Sequence, residues 1–398
     1  MSRLEELIAE LCPNGVEYVK LGEVCTIIKG KTPIQKAIPG DYPLVVTTSE
    51  RKSCNTYQFD KSAVCIPLVS SRGHGVASLN HVYFQSGKFA LGNILCAVIP
   101  NDESTLSANF LYHYLEYKKD TLLVPLMKGG ANVSLHIDDI QRVKVPLPPL
   151  AVQLETIEIL DKFIELSELL SRELTARQNQ YKYYRDYLLD FGRNGGVWQG
   201  SCEWRTLGEV CDILTGYPFD SSLFADTGIR LMRGMNIKRG QLDFTESNNR
   251  YWSDISGLEK YLLDENDIVI AMDGSLVGKS YGLVKKEELP LILVQRVARL
   301  RSNTVNTRFV YFCILSRFTD YVEKKKSPGA IPHISQKDIS NFRIPVPSME
   351  EQERIVSILD RFDKLCNDIS EGLPAEIEAR RKQYEYYRDK LLTFKAKE

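Results

Sequence analysis

Apolar residues between positions 40 and 100 come in short runs: Leu44-Val45-Val46, Ala63-Val64-Cys65-Ile66, Val82-Tyr83-Phe84 and Ile94-Leu95-Cys96-Ala97-Val98-Ile99. Gly, Ser, Asn and Pro separate them, which is the pattern of strands joined by turns. Leu231-Met232, Ile268-Val269-Ile270-Ala271 and Leu291-Ile292-Leu293-Val294 repeat it further along. Each stretch is followed by helical spacing, over 108–117 and 307–321. At the start, Leu4, Leu7, Ile8 and Leu11 mark a helix over 2–11, closed by Pro13-Asn14-Gly15.

From about 150 to 191 the pattern becomes that of one long helix. Ile159, Phe163, Leu166 and Leu170, then Tyr181, Tyr184, Leu188 and Phe191, advance by threes and fours. Ile358, Phe362, Leu365 and Ile369, then Tyr384, Tyr387, Leu391 and Phe394, do the same. These are coiled-coil steps. A proline-spaced strand precedes each: Val145-Pro146-Leu147-Pro148-Pro149 and Ile344-Pro345-Val346-Pro347. The prolines end β pairing and hand over to helix. Gly192 and Gly195-Gly196 cap the first helix and open a linker that reaches to about Ser201.

The chain is a tandem duplication. Residues 180–191 and 383–394 are identical at nine of twelve positions. Leu21-Gly22-Glu23-Val24-Cys25 returns as Leu207-Gly208-Glu209-Val210-Cys211, and each opening leads to a glycine, Gly30 or Gly216. The offset is 186 at these openings, 199 at the proline hinges and 203 at the helix ends. Four extra residues therefore fall in the second helical region. Gly372-Leu373-Pro374 predicts a break there, with Pro374 opening a new segment.

The composition, 43% apolar and 26% charged over 398 residues, is that of an ordinary globular chain with two to three domains. No apolar run has the length of a membrane span, and the acidic N-terminus lacks an apolar signal core. A cytoplasmic protein with no membrane association is expected. Nine cysteines without a C-x-x-C pair predict neither a disulfide framework nor a zinc site. The five histidines form no H-E-x-x-H motif. A net charge of −1 argues against a protein that simply coats nucleic acid and directs attention to local basic faces.

No catalytic or metal-ligating set emerges. Asp273-Gly274-Ser275-Leu276-Val277-Gly278-Lys279-Ser280 has one residue too few between its glycines for a phosphate-binding P-loop. Strand-like Tyr281-Gly282-Leu283-Val284 follows where that loop needs a helix, so a hairpin turn is predicted. Glu116-Tyr117-Lys118 and Glu323-Lys324-Lys325 lack the further carboxylates of a nuclease. The parts of an adenine methyltransferase site, an Asn-Pro-Pro-Tyr-type tetrapeptide and a strand-preceded G-x-G loop, are missing. Tyr181, Tyr184 and Leu188 share one helical stripe, which favours packing between helices over base stacking.

The better nucleic-acid candidates are loops. Lys128-Gly129-Gly130-Ala131-Asn132 and Lys324-Lys325-Lys326-Ser327-Pro328-Gly329-Ala330 occupy the same place in the two repeats. So do the glycine-bearing loops with Arg72 and His74 in one repeat and Lys279 in the other. Lysines neutralise phosphates, and amides can read base edges. The candidate DNA contacts are Lys29, Lys31, Arg72, His74, Lys128 and Asn132 in the first repeat. In the second they are Arg233, Asn236, Lys238, Lys279, Lys325 and His333. Tyr181, Tyr184, Arg185, Tyr384, Tyr387 and Arg388 are candidates for helix packing or partner docking.

Over essentially its whole length the chain resembles the specificity subunit of a type I restriction–modification system. The resemblance rests on the duplicated order of globular segment, proline strand and long helix. It also rests on the Leu-Gly-Glu-Val openings, on Gln153 and Gln352 after the hinges, and on the Gln-Tyr-x-Tyr-Tyr-Arg-Asp-x-Leu-Leu helices. It implies an α+β fold with two mixed α/β target-recognition domains in tandem. Two long helices, conserved in the family, would join them as an antiparallel coiled coil with internal pseudo-two-fold symmetry. The expected divisions are 1–149, 150–192, 193–348 and 349–398. Each domain would read half of a split double-stranded DNA target, and the helices, each roughly 60 Å long, would act as a spacer. Two methyltransferase subunits using S-adenosylmethionine would dock on the helices. Motor/nuclease subunits using ATP and Mg2+ would complete the complex. This subunit would hold no cofactor or metal and have no catalytic activity of its own. Two other readings stand beside it: a stand-alone restriction–modification enzyme, and a DNA-free coiled-coil scaffold.

Overall fold

The computed structural model describes residues 3–48, 50, 52–192, 202–325, 332–368 and 372–397. The chain forms two compact units, 1–171 with 376–398, and 172–375. Both cuts fall inside long helices, so the expected divisions at 149, 192 and 348 do not separate the units. Packing explains the difference, because each unit takes helical turns from both repeats.

Unit 1 opens with helix α1 (Arg3–Leu11), strand β1 (Tyr18–Lys20), the single turn α2 (Leu21–Val24) and β2 (Cys25–Lys29). The Leu-Gly-Glu-Val opening is this turn: Glu23 accepts the Lys20 N–H at 3.2 Å, and Leu21 is fully buried. There follow β3 (Tyr42–Val45), β4 (Lys52–Cys54), β5 (Phe59–Asp60), β6 (Ala63–Pro67), β7 (Tyr83–Gln85), β8 (Lys88–Leu91) and β9 (Leu95–Pro100). Helix α3 (Ala108–Leu122), the short α4 (Ile137–Gln141) and β10 (Lys144–Pro146) complete the series. One sheet has the order β2-β9-β6-β7 and another β4-β3-β8-β5, while β10 returns to pair with β1. Strands β6 and β9 are buried at every residue, so they read as unbroken apolar runs rather than alternating ones.

Helix α5 (Leu150–Leu188) follows the proline hinge. Its turns through Ser171 belong to unit 1 and those from Arg172 to unit 2. Unit 2 contains β11 (Glu203–Thr206), α6 (Leu207–Val210), β12 (Asp212–Thr215), β13 (Ile229–Met232), β14 (Tyr251–Trp252), β15 (Ile268–Ala271) and β16 (Tyr281–Leu283). Then come β17 (Leu291–Leu293), β18 (Val297–Arg301), α7 (Thr307–Glu323), α8 (Gln336–Ser340), β19 (Arg343–Val346) and α9 (Met349–Asn367). Its sheet orders are β12-β18-β15-β16, β14-β13-β17 and β11-β19. These match the orders of unit 1 strand for strand, apart from the additional β5. The topology persists through segments whose sequences differ because the burial pattern persists. Phe110 of α3 and Phe309 of α7, at equivalent positions, are each 1% exposed or less. Burying one such side chain contributes about 2–3 kcal/mol.

The aromatic stripes of the helices pack across repeats. In unit 1, Phe163 of α5 lies 6.5 Å from the ring of Tyr384 and 5.3 Å from that of Tyr387, both on α10 (Leu373–Leu391). In unit 2, Phe362 of α9 lies 6.2 Å from Tyr181 and 5.9 Å from Tyr184 of α5. Asp363 stands by Tyr181, while Cys366 stands by Arg177, so α5 and α9 run in opposite directions. Burial, assisted by Asp363, pushes the Tyr181 hydroxyl above its usual range. Helix α9 ends at Asn367 and α10 begins at Leu373, with Pro374 in its first turn. A Cβ on Gly372 would fall 2.6 Å from the Lys364 carbonyl oxygen, so glycine lets the chain turn tightly against the end of α9.

In unit 1 the two ends of the chain are tied together. Val16 donates its N–H to the Lys395 carbonyl at 2.8 Å and accepts from Lys397 N–H at 2.9 Å. Tyr18 Oη donates to the Phe394 carbonyl at 3.1 Å, and Lys390 pairs with Glu5 at 2.9 Å.

An aspartate on each long helical region holds the globular part of its unit. In unit 1, buried His113 of α3 lies with Nε2 2.9 Å from Asp161 Oδ1, and Asn109 donates to Oδ2 at 3.2 Å. In unit 2, Arg308 Nε donates to both oxygens of the equivalent Asp360 at 3.1 Å. Burial lowers the His113 pKa below 6.5 despite Asp161. The unfolded chain therefore binds more protons than the folded one as pH falls, and stability must fall with it. The unfolding free energy is expected to drop as pH falls below about 7. His113→Gln should flatten that slope in urea titrations, and an unchanged slope would reject the assignment.

Candidate nucleic-acid interface

Topology gathers the candidate loops of unit 1. In the antiparallel sheet β2-β9-β6-β7, the last residue of β2 (Lys29) pairs beside the start of β9, and the end of β6 (Pro67) pairs with Leu95. The loops after β2, before β9 and between β6 and β7 therefore leave from one end of the sheet. Lys29 and Lys31 are exposed on the first loop. Gln58 fixes them: its Oε1 accepts the Lys31 N–H at 3.0 Å and its Nε2 donates to the Lys29 carbonyl at 3.0 Å. Arg72 and His74 are exposed on the β6–β7 loop. That loop lies against segment 128–134, with Ser70 N–H donating to Val133 O at 3.0 Å and Gly75 N–H to Ala131 O at 3.3 Å. Arg72, His74, Lys128 and Asn132 thus stand on adjoining loops. Lys128 is engaged with Asp139 at 3.0 Å, a bond that holds the Asp139 carboxyl below the usual carboxylate range.

Unit 2 has the same arrangement. Thr215 ends β12, Val297 begins β18, Ala271 ends β15 and Tyr281 begins β16, all at one end of the sheet. The near-P-loop segment 272–280 closes the β15–β16 hairpin, as the strand-like residues after it predict. Half-buried Lys279 stands on it, and exposed His333 is bridged to its Asp273. Thr319 of α7 donates to Gly278 O at 2.9 Å, which sets the end of α7, and exposed Lys325 beyond it, beneath this loop. Arg233 follows β13, whose Met232 pairs with Leu293 of β17, so it too stands at the loop end. Its Nη2 donates to Asn248 O at 2.8 Å. Burial, and then nearby Arg250, lower the pKa of its guanidinium. Lys238 lies on a small hairpin beside the edge strand β16, with Nζ 3.8 Å from Asp243.

Asn236 is placed otherwise. It is fully buried, its Oδ1 accepts the Arg233 N–H at 3.1 Å, and its Nδ2 donates to Asp243 O at 2.9 Å. The amide shapes the turn that carries Arg233 and does not reach the surface. Sequence reasoning also passed over residues at this end: Gln58 in unit 1, and Tyr217, Asp273, Gln295 and Arg296 in unit 2. Reading 291–301 as two apolar strands joined by a turn would have put Gln295 and Arg296 in that turn.

Among the described residues, no group of His, Cys, Asp and Glu side chains is placed to hold a metal ion. No described helix is long and apolar enough to cross a membrane. On the helices, Tyr181 is buried and Tyr184 partly exposed. Arg185 lies over the Tyr181 ring at 5.9 Å, and Arg388 over Tyr384 at 5.7 Å and Tyr117 at 4.8 Å.

The sequence model of the type I restriction modification DNA specificity domain matches residues 13–176 and again 201–379. The chain belongs to the type I restriction–modification DNA specificity family. It is 36% identical over 298 residues to the EcoR124I/EcoR124II specificity subunit of Escherichia coli, covering 71% of each chain. A Haemophilus influenzae type I specificity subunit is 26% identical over 394 residues, covering 95% of this chain and 96% of that one. The S subunit from M. genitalium shares the fold, with a TM-score of 0.63 at 16% identity and coverage of 95% of this chain and 96% of that one. This specificity subunit carries two recognition domains, one per family match, and is a recognition component rather than a stand-alone enzyme.

Proposed function

We propose that this specificity subunit reads a split double-stranded DNA target, one half per unit, with the loops at one end of the β2-β9-β6-β7 sheet and of its counterpart β12-β18-β15-β16. The single observation that carries this reading is the convergence, twice over, of loops distant in sequence on one sheet end bearing basic side chains. In unit 1 the contacts are Lys29, Lys31, Arg72, His74, Lys128 and Asn132. In unit 2 they are Arg233, Lys238, Lys279, Lys325 and His333, with Asn236 positioning Arg233. Phosphate contacts would set the register and base-edge contacts the sequence.

Two methyltransferase subunits would dock on the outward faces of the helices. Tyr183, Tyr187 and Tyr386 are 65%, 61% and 64% exposed, whereas their neighbour Tyr181 is buried and Tyr384 half-buried against the core. Tyrosine is a residue type enriched at protein interfaces. S-adenosylmethionine would be bound by those partners, and ATP with Mg2+ by motor/nuclease subunits, all in the cytoplasm.

The test is to map methylated adenine across the genome of cells with and without this gene, with the methyltransferase partner present. Loss of one split motif, methylated on both strands, is the expected result. Unchanged methylation in the presence of an active partner would reject the reading in favour of a scaffold.

A further inference from the structure

Arg296 stands on the tight turn between β17 and β18, which passes from one sheet to the other where three loops of unit 2 meet. The turn is pinned on every side. Gln295 N–H donates to Tyr217 O at 2.8 Å, Val294 N–H to Met232 O at 3.1 Å, and Met272 N–H to Arg296 O at 2.9 Å. Despite this anchoring the residue is exposed, its side chain at 68%. Its φ is +65°, in the left-handed region that a side chain enters only at a cost. A residue held there by surrounding bonds, at the end of the sheet where the candidate contacts gather, is a candidate for function rather than for packing.

The side chain is oriented as well. Arg296 Nη1 lies 2.8 Å from Asp273 Oδ2. Asp273 is largely covered, with its side chain 21% exposed, and its backbone is bridged to His333. A carboxylate on one edge of a guanidinium fixes the plane of the fork and leaves the remaining donors directed outward. A phosphate contact needs charge and tolerates a mobile side chain. Bidentate reading of guanine O6 and N7 needs a fixed fork. In unit 1, His74 on the loop end of the equivalent sheet also has positive φ, at +61°.

We propose that Arg296 is a specificity-determining residue of the second recognition domain: its guanidinium, aligned by Asp273, reads a guanine in that domain's half-site. This rests on the DNA-reading function proposed above.

The experiment maps methylated adenines in cells carrying the full-length subunit and its methyltransferase partner, for wild type, Arg296→Gly, Arg296→Lys and Asp273→Ala. Glycine accepts the backbone conformation without cost. Arg296→Gly should therefore unfold at the wild-type temperature or higher, while preference for guanine at one position of one half-site falls about tenfold or more. The other half of the motif should be unchanged. Arg296→Lys keeps the charge without the fork and should show the same degeneracy, with Asp273→Ala intermediate at that position. An unchanged motif in a stable Arg296→Gly subunit would overturn the proposal. So would a full motif restored by lysine, or uniform weakening of both halves, which mark a phosphate contact. An Arg296→Gly subunit that unfolds earlier, with Arg296→Lys retaining the motif, would assign the residue to the scaffold. If the wild type itself supports no split motif, the DNA-reading function fails, an outcome distinct from the others.

Discussion

Gly216→Ala is expected to destabilise unit 2 by about 3 kcal/mol, at the upper end of what overpacking a rigid site costs. A Cβ on Gly216 would stand 2.2 Å from the Val294 carbonyl oxygen and 2.3 Å from its carbon. Both are backbone atoms of the β17–β18 turn, and that turn is held by the Gly216 N–H to Val297 O bond at 3.1 Å among others. Neither strand end can move without breaking ladder bonds. Gly30→Ala should do the same to unit 1, where the Cβ would stand 2.1 Å from Gly92 O. The two glycines occupy equivalent places, each letting the end of the first sheet strand pass close to the turn that joins the two sheets, β8 to β9 or β17 to β18. Gly130 is the control, since a Cβ there meets nothing within 4 Å. Its alanine variant should stay within about 0.5 kcal/mol of wild type. Urea unfolding of the three variants measures this, and a Gly216→Ala protein as stable as the control would show that the loop end yields readily.

Gln153→Ala should cost unit 1 about 3 kcal/mol, and Gln352→Ala should cost unit 2 somewhat less, because buried backbone groups are left without partners. Gln153 is completely buried. Its Oε1 accepts the Ser107 N–H at 2.9 Å, and its Nε2 donates to Thr105 O at 2.8 Å and Pro148 O at 2.7 Å. Gln352 accepts from Asn306 N–H at 2.9 Å and donates to Pro347 O at 2.9 Å. One amide therefore joins the proline hinge to the segment before α3 or α7. Three backbone groups are orphaned in the first variant and two in the second, which sets the order. Equal costs in both, or costs under about 1 kcal/mol, would show that water replaces the amide.

Much of the fold was legible because it is written in local pattern. The steps of three and four place α5 and α9, Pro374 opens α10, and the Leu-Gly-Glu-Val turns recur with their glutamate caps. The unit boundaries were not legible. An apolar stripe states that a helix has a partner and does not state which one. Phe163 finds its tyrosines on α10, far along the chain, and Phe362 finds its own on α5. The candidate site shows the same division. Lys128 and Lys279 stand out as cations in glycine loops, whereas Arg296 acquires meaning only when β15 and β18 are in register and the turn before β18 lies beside Asp273. Asn236 resembled a base reader by residue type, yet its amide satisfies the turn beneath Arg233. Local composition does not distinguish an exposed amide from one that closes a turn.

The bonds that tie Val16 to Lys395 and Lys397 bear on the order in which the molecule can form during translation. Every segment of unit 2 has left the ribosome once residues up to 375 have emerged. Unit 1 still lacks residues 376–398 at that moment, although nearly all of it was made first. Leu391, Leu392 and Phe394 have yet to join its core, and Val16 has no Lys395 or Lys397 backbone to bond. The domain synthesised second is thus complete before the domain synthesised first. A ribosome that stalls or terminates early in the last helix leaves the N-terminal half unfinished, with the core contacts of Leu391 and Leu392 unmade, while every segment of the C-terminal half is already present.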